Sequence, residues 1–228
     1  LRTGLVRSAE VLVRWNHPDR GLLFPADFLD LVLVAGLDAQ LVEQVLAAGI
    51  DAAAVLPPEV SVAVNVSAAD LRRPDLPDLV GELLHGRGVA PTRLEVELTE
   101  SELIDGSGIV AGTLGALNDL GVQIAIDDFG TGYSSFARLR ELPLDRLKID
   151  RRFVGGMIDH ERDDVIVRSM IDLAENMGLR TTAEGVETEA QRELLEALGC
   201  EDGQGYLFGR AQPLPDLHHT IEQRRLTT

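Results

Sequence analysis

In the stretch VQIAIDDFGTGYSS, Val122 to Ser135, an apolar segment runs straight into two adjacent carboxylates. Val122–Ile126 has the composition of a buried strand, and Asp127 and Asp128 follow at its carboxyl end. Two neighbouring negative charges repel each other, and burying either without a partner costs free energy. Either water therefore solvates both side chains, or a cation lies between them.

The composition limits the class of protein. With 228 residues the chain is long enough for a substantial core, and we expect residues 1–228 to form a single domain. A hydrophobic fraction of 45%, without an apolar run near ~18 residues, is typical of a soluble globular protein. The N-terminus lacks a signal-peptide pattern, and the single cysteine, Cys200, cannot form an internal disulfide. These features predict a cytoplasmic protein.

The formal net charge is −17, from 38 acidic and 21 basic residues. Such a surface repels nucleic-acid polymers and anionic membranes, so we expect neither as a partner of this domain. An anionic substrate would need a local source of positive charge.

Apolar and amphipathic stretches alternate along the chain. The pattern predicts strands at Val6–Trp15, Val60–Val66, Leu94–Leu98, Val122–Ile126, Arg146–Ile149, Leu179–Ala183 and Gly203–Tyr206. It predicts helices at Pro25–Val34, Ala39–Val55, Leu76–Arg87, Ile109–Leu120, Asp164–Met177, Glu189–Leu198 and Leu214–Arg225. Seven strand–helix units favour an α/β fold of the TIM-like (β/α)8 barrel type. The alternative is an open doubly wound sheet, which normally gathers its polar site at one switch point.

Polar side chains follow nearly every predicted strand, which favours the barrel because strand ends converge there on one mouth. They are Glu10, Asn65, Glu97, Asp127 with Asp128, Lys148 with Asp150, Glu184 with Glu187, and Gln204. Almost all are oxygen donors, which match hard divalent cations such as Mg²⁺ or Mn²⁺ better than zinc.

Each acid taken singly has a simpler interpretation, since an acid at a strand end is usually a solvated loop residue or a helix cap. The whole set favours metal ligands, because five carboxylates around one point require cations. Two ions ~3.5–4 Å apart, bridged by a carboxylate such as Asp127, would neutralise most of the charge and hold a phosphodiester. Gly130 and Gly132 would let the following loop turn tightly.

These residues closely resemble the EAL-domain family, bacterial phosphodiesterases that open cyclic dimeric GMP. The resemblance covers almost the whole chain, and seven motifs stand in family order. They are AEVLVRW (9–15), VNVS (64–67), ELTES (97–101), DDFGTGYSS (127–135), LKID (147–150), AEGVE (183–187) and QGYLFGR (204–210).

The resemblance implies a site with Mg²⁺ or Mn²⁺, two ions in each active site. The implied ligands of one ion are Glu10, Asn65, Glu97 and Asp127, and those of the other are Asp127, Asp128 and Glu184. The implied catalytic residues are Glu10, Lys148, Glu184, Glu187 and Gln204.

Three further roles follow from the resemblance. Arg14 and Asp150 would contact the substrate, with Arg14 holding a phosphate through its fork of donors. Glu100 would brace the Phe129–Ser135 loop, which in this family couples metal binding to the dimer interface.

The implied function is metal-dependent hydrolysis of cyclic dimeric GMP to the linear dinucleotide pGpG. A homodimer and additional sensory or GGDEF domains in a longer signalling protein are the implied partners. Two alternatives stay open: a catalytically silent cyclic dimeric GMP receptor, and a protein-interaction module that uses the helices around Asp164–Met177.

The chain departs from the family pattern at a few positions. Val11 replaces the alanine of the Glu-Ala-Leu motif, Asp70 replaces a glutamine, and Ala211 replaces a proline. The sequence also lacks the family's first strand, which runs antiparallel to the others, so we expect a fragment of a longer signalling protein. In a protein that is naturally this short, the barrel would have an unpaired edge beside Glu10, unless a partner chain supplied the strand.

Overall fold

The computed structural model describes residues 1–100, 102, 108–131 and 139–227. Within these residues the strands are β1 (Ser8–Glu10), β2 (Trp15–His17), β3 (Gly21–Leu23), β4 (Ser61–Asn65), β5 (Leu94–Thr99), β6 (Gln123–Phe129), β7 (Arg146–Ile149), β8 (Arg180–Ala183) and β9 (Asp202–Gly203). Seven of them form a parallel sheet in the order β1-β4-β5-β6-β7-β8-β9, and β2 and β3 form an antiparallel hairpin. All seven strands therefore end at the same side of the sheet.

Most of the described helices lie between strands of this sheet along the chain, and the last one follows β9. Those described are α1 (Pro25–Val34), α2 (Asp38–Val55), α3 (Ala68–Leu71), α4 (Leu76–Arg87), α5 (Gly108–Leu120), α6 (Arg151–Gly156), α7 (Glu161–Met177), α8 (Glu189–Ala197) and α9 (Leu214–Thr227). Helices α4 and α7 each end at a glycine in the left-handed conformation, Gly88 and Gly178. No described helix combines the length and apolar composition that crossing a membrane requires.

The core lies between the sheet and its helices, and the strands alternate apolar and polar side chains. In β5, Leu94, Val96 and Leu98 belong to this core, while the alternate residues Glu95 and Glu97 are also buried. Because successive side chains of a strand point to opposite faces, the two glutamates share the inner face of the curled sheet. Charged groups are thus buried inside the ring of strands.

The curl brings the two edges of the sheet close to each other. Gln204, just after β9, donates from Nε2 to Oε2 of Glu10 on β1 at 2.8 Å. The Leu1 ammonium donates to the carbonyl oxygen of Glu201 at 2.7 Å. Within the described residues, β1 has β4 as its strand neighbour, and the hydrogen bond from Gln204 links it to the segment after β9. The prediction of a TIM-like α/β fold is confirmed.

Element bounds differ from the prediction mainly at the start of the chain. Val6–Trp15 is not one strand, because β1 ends at Glu10 and the chain then enters the β2–β3 hairpin. The predicted helices α1 and α4 have the observed bounds. Two short helices, α3 and α6, were not predicted, since a helix of one or two turns carries little periodic pattern.

Candidate active site

Lys148 lies at the centre of the strand ends and is the only lysine among the 21 basic residues of the sequence. Its side chain is 2% exposed, and Nζ lies 2.8 Å from Glu184 Oε1, 2.9 Å from Glu97 Oε2 and 3.2 Å from Asp127 Oδ2. These are ion-pair distances, but the angles are not those of hydrogen bonds, and Lys148 Nζ and Glu97 Oε2 have no aligned partner. One buried ammonium thus contacts carboxylates from three different strand ends.

Two of the acids in contact with Lys148, Glu97 and Glu184, have raised pKa values. Burial raises the pKa of Glu97 to about 8 and that of Glu184 to about 7, although the Lys148 charge opposes both shifts. Burial would lower the pKa of Lys148, but the charges of Glu97, Glu184 and Asp127 outweigh it and hold this pKa well above its usual value. One ammonium therefore does not supply enough positive charge to keep every neighbouring acid ionised at neutral pH.

A bulge explains how adjacent aspartates reach the same site. The β6–β7 register shifts between Ile126 and Phe129, and Asp128 has φ 53°, the only positive φ at a described non-glycine residue. In a regular strand, consecutive side chains face opposite sides, whereas a bulge re-aims one of them. Carboxylate oxygens of Asp127, Asp128 and Glu184 consequently lie within 4.8 Å of one another.

The residues present fit a divalent cation. Three converging carboxylates are hard oxygen donors, and the buried Glu97 Oε2 near them has no regular hydrogen-bond partner among the described residues. This arrangement favours a cation between Asp127 and Asp128 over separate solvation of the two side chains by water.

Glu10 and Asn65 form the opposite side of the cluster with Gln204. Asn65 Nδ2 donates to Glu10 Oε1 at 2.9 Å, and Gln204 Nε2 donates to Glu10 Oε2 at 2.8 Å. Gln204 also reaches Glu184 Oε1 at 3.5 Å. The structure therefore joins all the predicted metal ligands through contacts with Lys148, Gln204 or one another, while their roles as ligands stay predictions.

Asp150 lies behind Asp128 as the N-cap of α6. Its Oδ1 accepts from the backbone N–H of Arg152 at 2.8 Å and from Arg152 Nε at 3.0 Å. Burial and the hydrogen bond with Asp150 raise the pKa of Asp128 to about 6. Asp150 thus orients Asp128, and its predicted contact with the substrate stays a prediction.

Arg14 and Glu187 lie apart from the carboxylate cluster. The Arg14 guanidinium stacks 4.7 Å from the centre of the Phe24 ring, and its Nη1 donates to the Val13 carbonyl oxygen at 2.8 Å. Glu187 is exposed. Within the part of the chain that the structure describes, neither side chain has a hydrogen bond or ion pair with the cluster, so their roles also stay predictions.

Glu100 holds the loop that follows Asp128. Its buried carboxylate accepts from the Gly130 N–H at 2.7 Å, while its bracing role stays a prediction. The predicted loop, Phe129–Ser135, also includes residues 132–135, which lie outside the described residues. Glu102 likewise accepts from the Thr99 backbone N–H at 2.7 Å.

Replacing Gly130 by alanine is expected to lower the free energy of unfolding by about 2 kcal/mol or more, because strained backbone and steric overlap add. Gly130 has φ +94°, and an added Cβ would overlap the Met170 methyl group and lie 3.0 Å from the Phe153 ring. Urea denaturation measures the change. Gly112→Ala is the control: this position has open space, so the helix should gain about 0.5–1 kcal/mol. Equal stabilities of both variants would contradict the account.

A second layer of buried charge lies beneath Lys148. Arg146 donates from Nε to Glu95 Oε2 at 2.8 Å, and from Nη1 to Asp202 Oδ2 and Thr182 Oγ1 at 2.7 Å each. Sequence reasoning missed this cluster, although Arg146 stands two residues before Lys148 and therefore shares its face of β7. The lower layer joins β5, β7, β8 and β9 below the site.

Comparison with known proteins identifies a family. The model of the EAL domain matches residues 1–211. Among curated proteins, cyclic di-GMP phosphodiesterase NbdA of Pseudomonas aeruginosa is 41% identical over 229 residues, which are 99% of this chain and 29% of that protein. Protein y4lL of Sinorhizobium fredii is 41% identical over 94% of this chain and 26% of its own length.

Solved structures agree with this family match. The PaMucR phosphodiesterase in complex with c-di-GMP has a TM-score of 0.87 and 39% identity, covering 92% of this chain and 87% of that one. The EAL domain of Mycobacterium smegmatis DcpA has a TM-score of 0.84 and 32% identity, covering 97% and 93%. The chain spans about a quarter to a third of the length of the curated relatives named above.

Proposed function

We propose that this chain, which belongs to the EAL domain family, is a metal-dependent phosphodiesterase that hydrolyses cyclic dimeric GMP to linear pGpG. The observation that carries the proposal is the buried Lys148 ammonium in contact with Glu97, Asp127 and Glu184, beside the paired aspartates. The named phosphodiesterase at 41% identity supports the same reaction.

The ligands of Mg²⁺ or Mn²⁺ would be two overlapping sets of residues. One set is Glu10, Asn65, Glu97 and Asp127, and the other is Asp127, Asp128 and Glu184. Bound cations would supply positive charge that polarises a phosphodiester oxygen and lowers the pKa of a bound water. Asp127 belongs to both sets, which fits its position between Lys148 and Asp128.

The chain's own residues bind and orient the reactants. The Lys148 ammonium, held charged by its acidic neighbours, stabilises negative charge that develops on the phosphate in the transition state. Gln204 orients the attacking water through its amide, which is fixed by Glu10 at 2.8 Å. Glu184, whose pKa burial raises to about 7, accepts the proton of that water. Arg14 binds a substrate phosphate when it leaves the Phe24 ring.

Removing divalent cations is expected to abolish turnover, because the site then lacks the charge that its acids require. The experiment incubates the chain with cyclic dimeric GMP and Mg²⁺ or Mn²⁺, and follows pGpG by chromatography, with a chelator-treated sample as control. Intact substrate with either metal would contradict the proposal. If calorimetry then shows tight binding of cyclic dimeric GMP, the receptor becomes the better interpretation.

A homodimer, additional sensory or GGDEF domains and a cytoplasmic location stay predictions from the family resemblance. The activities of the relatives outside the matched region belong to those proteins, because the match covers only 26% of y4lL and 29% of NbdA.

A further inference from the structure

Gln191 lies in the first turn of α8, and both the oxygen and the nitrogen of its side-chain amide make hydrogen bonds. Oε1 accepts from the backbone N–H groups of Glu187 at 2.8 Å and Thr188 at 3.0 Å, while Nε2 donates to the Val154 carbonyl oxygen at 3.1 Å. The residue is buried. A capping box requires only the bond to the Thr188 N–H, so the bond to α6 is an additional link between two segments.

The segment held by Gln191 also holds Gln204. The Val186 N–H donates to the Gln204 carbonyl oxygen at 3.0 Å, and the Gln204 N–H donates to the Ala183 carbonyl oxygen at 2.8 Å. Gly205 packs against the Val186 backbone so closely that a Cβ there would overlap it. Displacing residues 184–188 would therefore displace the Gln204 amide from Glu10.

The other end of the Gln191 amide lies on the segment that follows Lys148. Val154 belongs to α6, which begins directly after Asp150, the hydrogen-bond partner of Asp128. The amide thus joins the segment after β7 to the segment after β8. Lys148 lies in β7, and Glu184 directly follows β8. Lys148 Nζ and Glu184 Oε1 are 2.8 Å apart.

We propose that Gln191 is a positioning residue for hydrolysis, which fixes residues 184–188 against α6 and thereby sets Glu184 and Gln204 relative to Lys148. The inference rests on the proposed function. Gln191 acts through other residues, since its side-chain bonds within the described part of the chain go to Glu187, Thr188 and Val154. Its role requires an amide, because one end accepts two hydrogen bonds and the other donates one.

Three variants of the full chain separate positioning from helix capping. Q191A removes all three side-chain hydrogen bonds, and Q191E keeps the accepting oxygen but removes the donor to Val154. T188A removes the oxygen that accepts from the Gln191 N–H at 3.3 Å, and leaves the Gln191 amide in place. For each variant, kcat, KM and the melting temperature are measured, together with amide hydrogen exchange at residues 184–188 and 204.

We expect Q191A to lower kcat about tenfold with KM little changed, and Q191E to lower it less, as for other residues that orient catalytic groups. T188A should lower the melting temperature while kcat stays within about twofold, because only the cap is lost. Wild-type kcat in a folded Q191A, or an equal loss of kcat in T188A, would overturn the inference. If Q191A does not fold, wild-type kcat in Q191E overturns it.

Hydrogen exchange distinguishes a failure of this inference from a failure of the proposed function. If the wild-type chain does not turn over cyclic dimeric GMP, the proposed function fails, and the exchange rates decide the positioning role alone. Faster exchange at residues 184–188 and 204 in the folded Gln191 variants, but not in T188A, supports it. Exchange at the wild-type rate in those variants overturns it.

Discussion

Replacing Lys148 by methionine is expected to lower kcat for cyclic dimeric GMP about 10³-fold, because the substitution removes a charge aimed at the transition state. Methionine keeps the length of the aliphatic chain but leaves Glu97, Asp127 and Glu184 without their shared cation. The measurement is kcat at saturating Mg²⁺ or Mn²⁺, with circular dichroism to confirm the fold. Because Lys148 is the only lysine, its ammonium also gives a single side-chain signal in ¹⁵N-lysine NMR.

The matched control for this variant is Arg168→Met on α7. It removes one positive charge from an exposed ion pair with Asp164, whose atoms lie 2.9 Å apart. Turnover should stay within about twofold, since exposed ion pairs contribute little. Equal losses of turnover in both variants would show that overall charge, rather than the position of Lys148, governs activity.

Replacing Arg146 by methionine is expected to lower the free energy of unfolding by about 3–5 kcal/mol, since it leaves a buried charge unpaired. Arg146 and Glu95 are 4% and 3% exposed, and Arg146 also bonds Asp202 and Thr182. Without Arg146, the ion-pair partner that the described residues still offer the buried Glu95 carboxylate is the Arg180 guanidinium, at 4.0 Å. Urea denaturation followed by fluorescence or circular dichroism measures the loss.

The double variant Arg146→Met, Glu95→Gln tests the physical cause. It removes both partners of the pair, so it should recover part of the stability that Arg146→Met alone loses. Arg168→Met, which breaks an exposed pair, should cost less than about 1 kcal/mol. A small loss for Arg146→Met, or no recovery in the double variant, would contradict the view that Arg146 stabilises the curled sheet through buried charge.

The sequence predicts those site residues that lie near the carboxyl ends of parallel strands. Glu97, Asp127 and Lys148 each lie within two residues of the carboxyl end of a strand. Parallel strands end on one side of a sheet, so the meeting of these side chains follows from topology alone. The strand pattern of β5 and β7 predicts buried elements, but the same alternation also carries Glu95 and Arg146 inward. The ion pair between Arg146 and Glu95 depends on how far the sheet curls, and the sequence pattern of a single strand does not predict that curvature.

Contacts between loops were not predictable from the sequence in the same way. Gln191 bonds to backbone atoms of Glu187, Thr188 and Val154, and backbone groups carry no sequence signal. The left-handed conformation of Asp128 likewise results from the register shift of β6 against β7. Such features depend on tertiary placement, whereas strand and helix periods depend on neighbouring residues.

In the proposed mechanism, Asp127 and Asp128 hold the cations of a hydrolytic centre next to Lys148. Anomalous X-ray diffraction from crystals grown with Mn²⁺ locates such cations. We expect two peaks ~3.5–4 Å apart, with Asp127 between them and Asp128 and Glu184 against one of them. A chain that turns over cyclic dimeric GMP but shows no Mn²⁺ peak at these carboxylates would contradict the account.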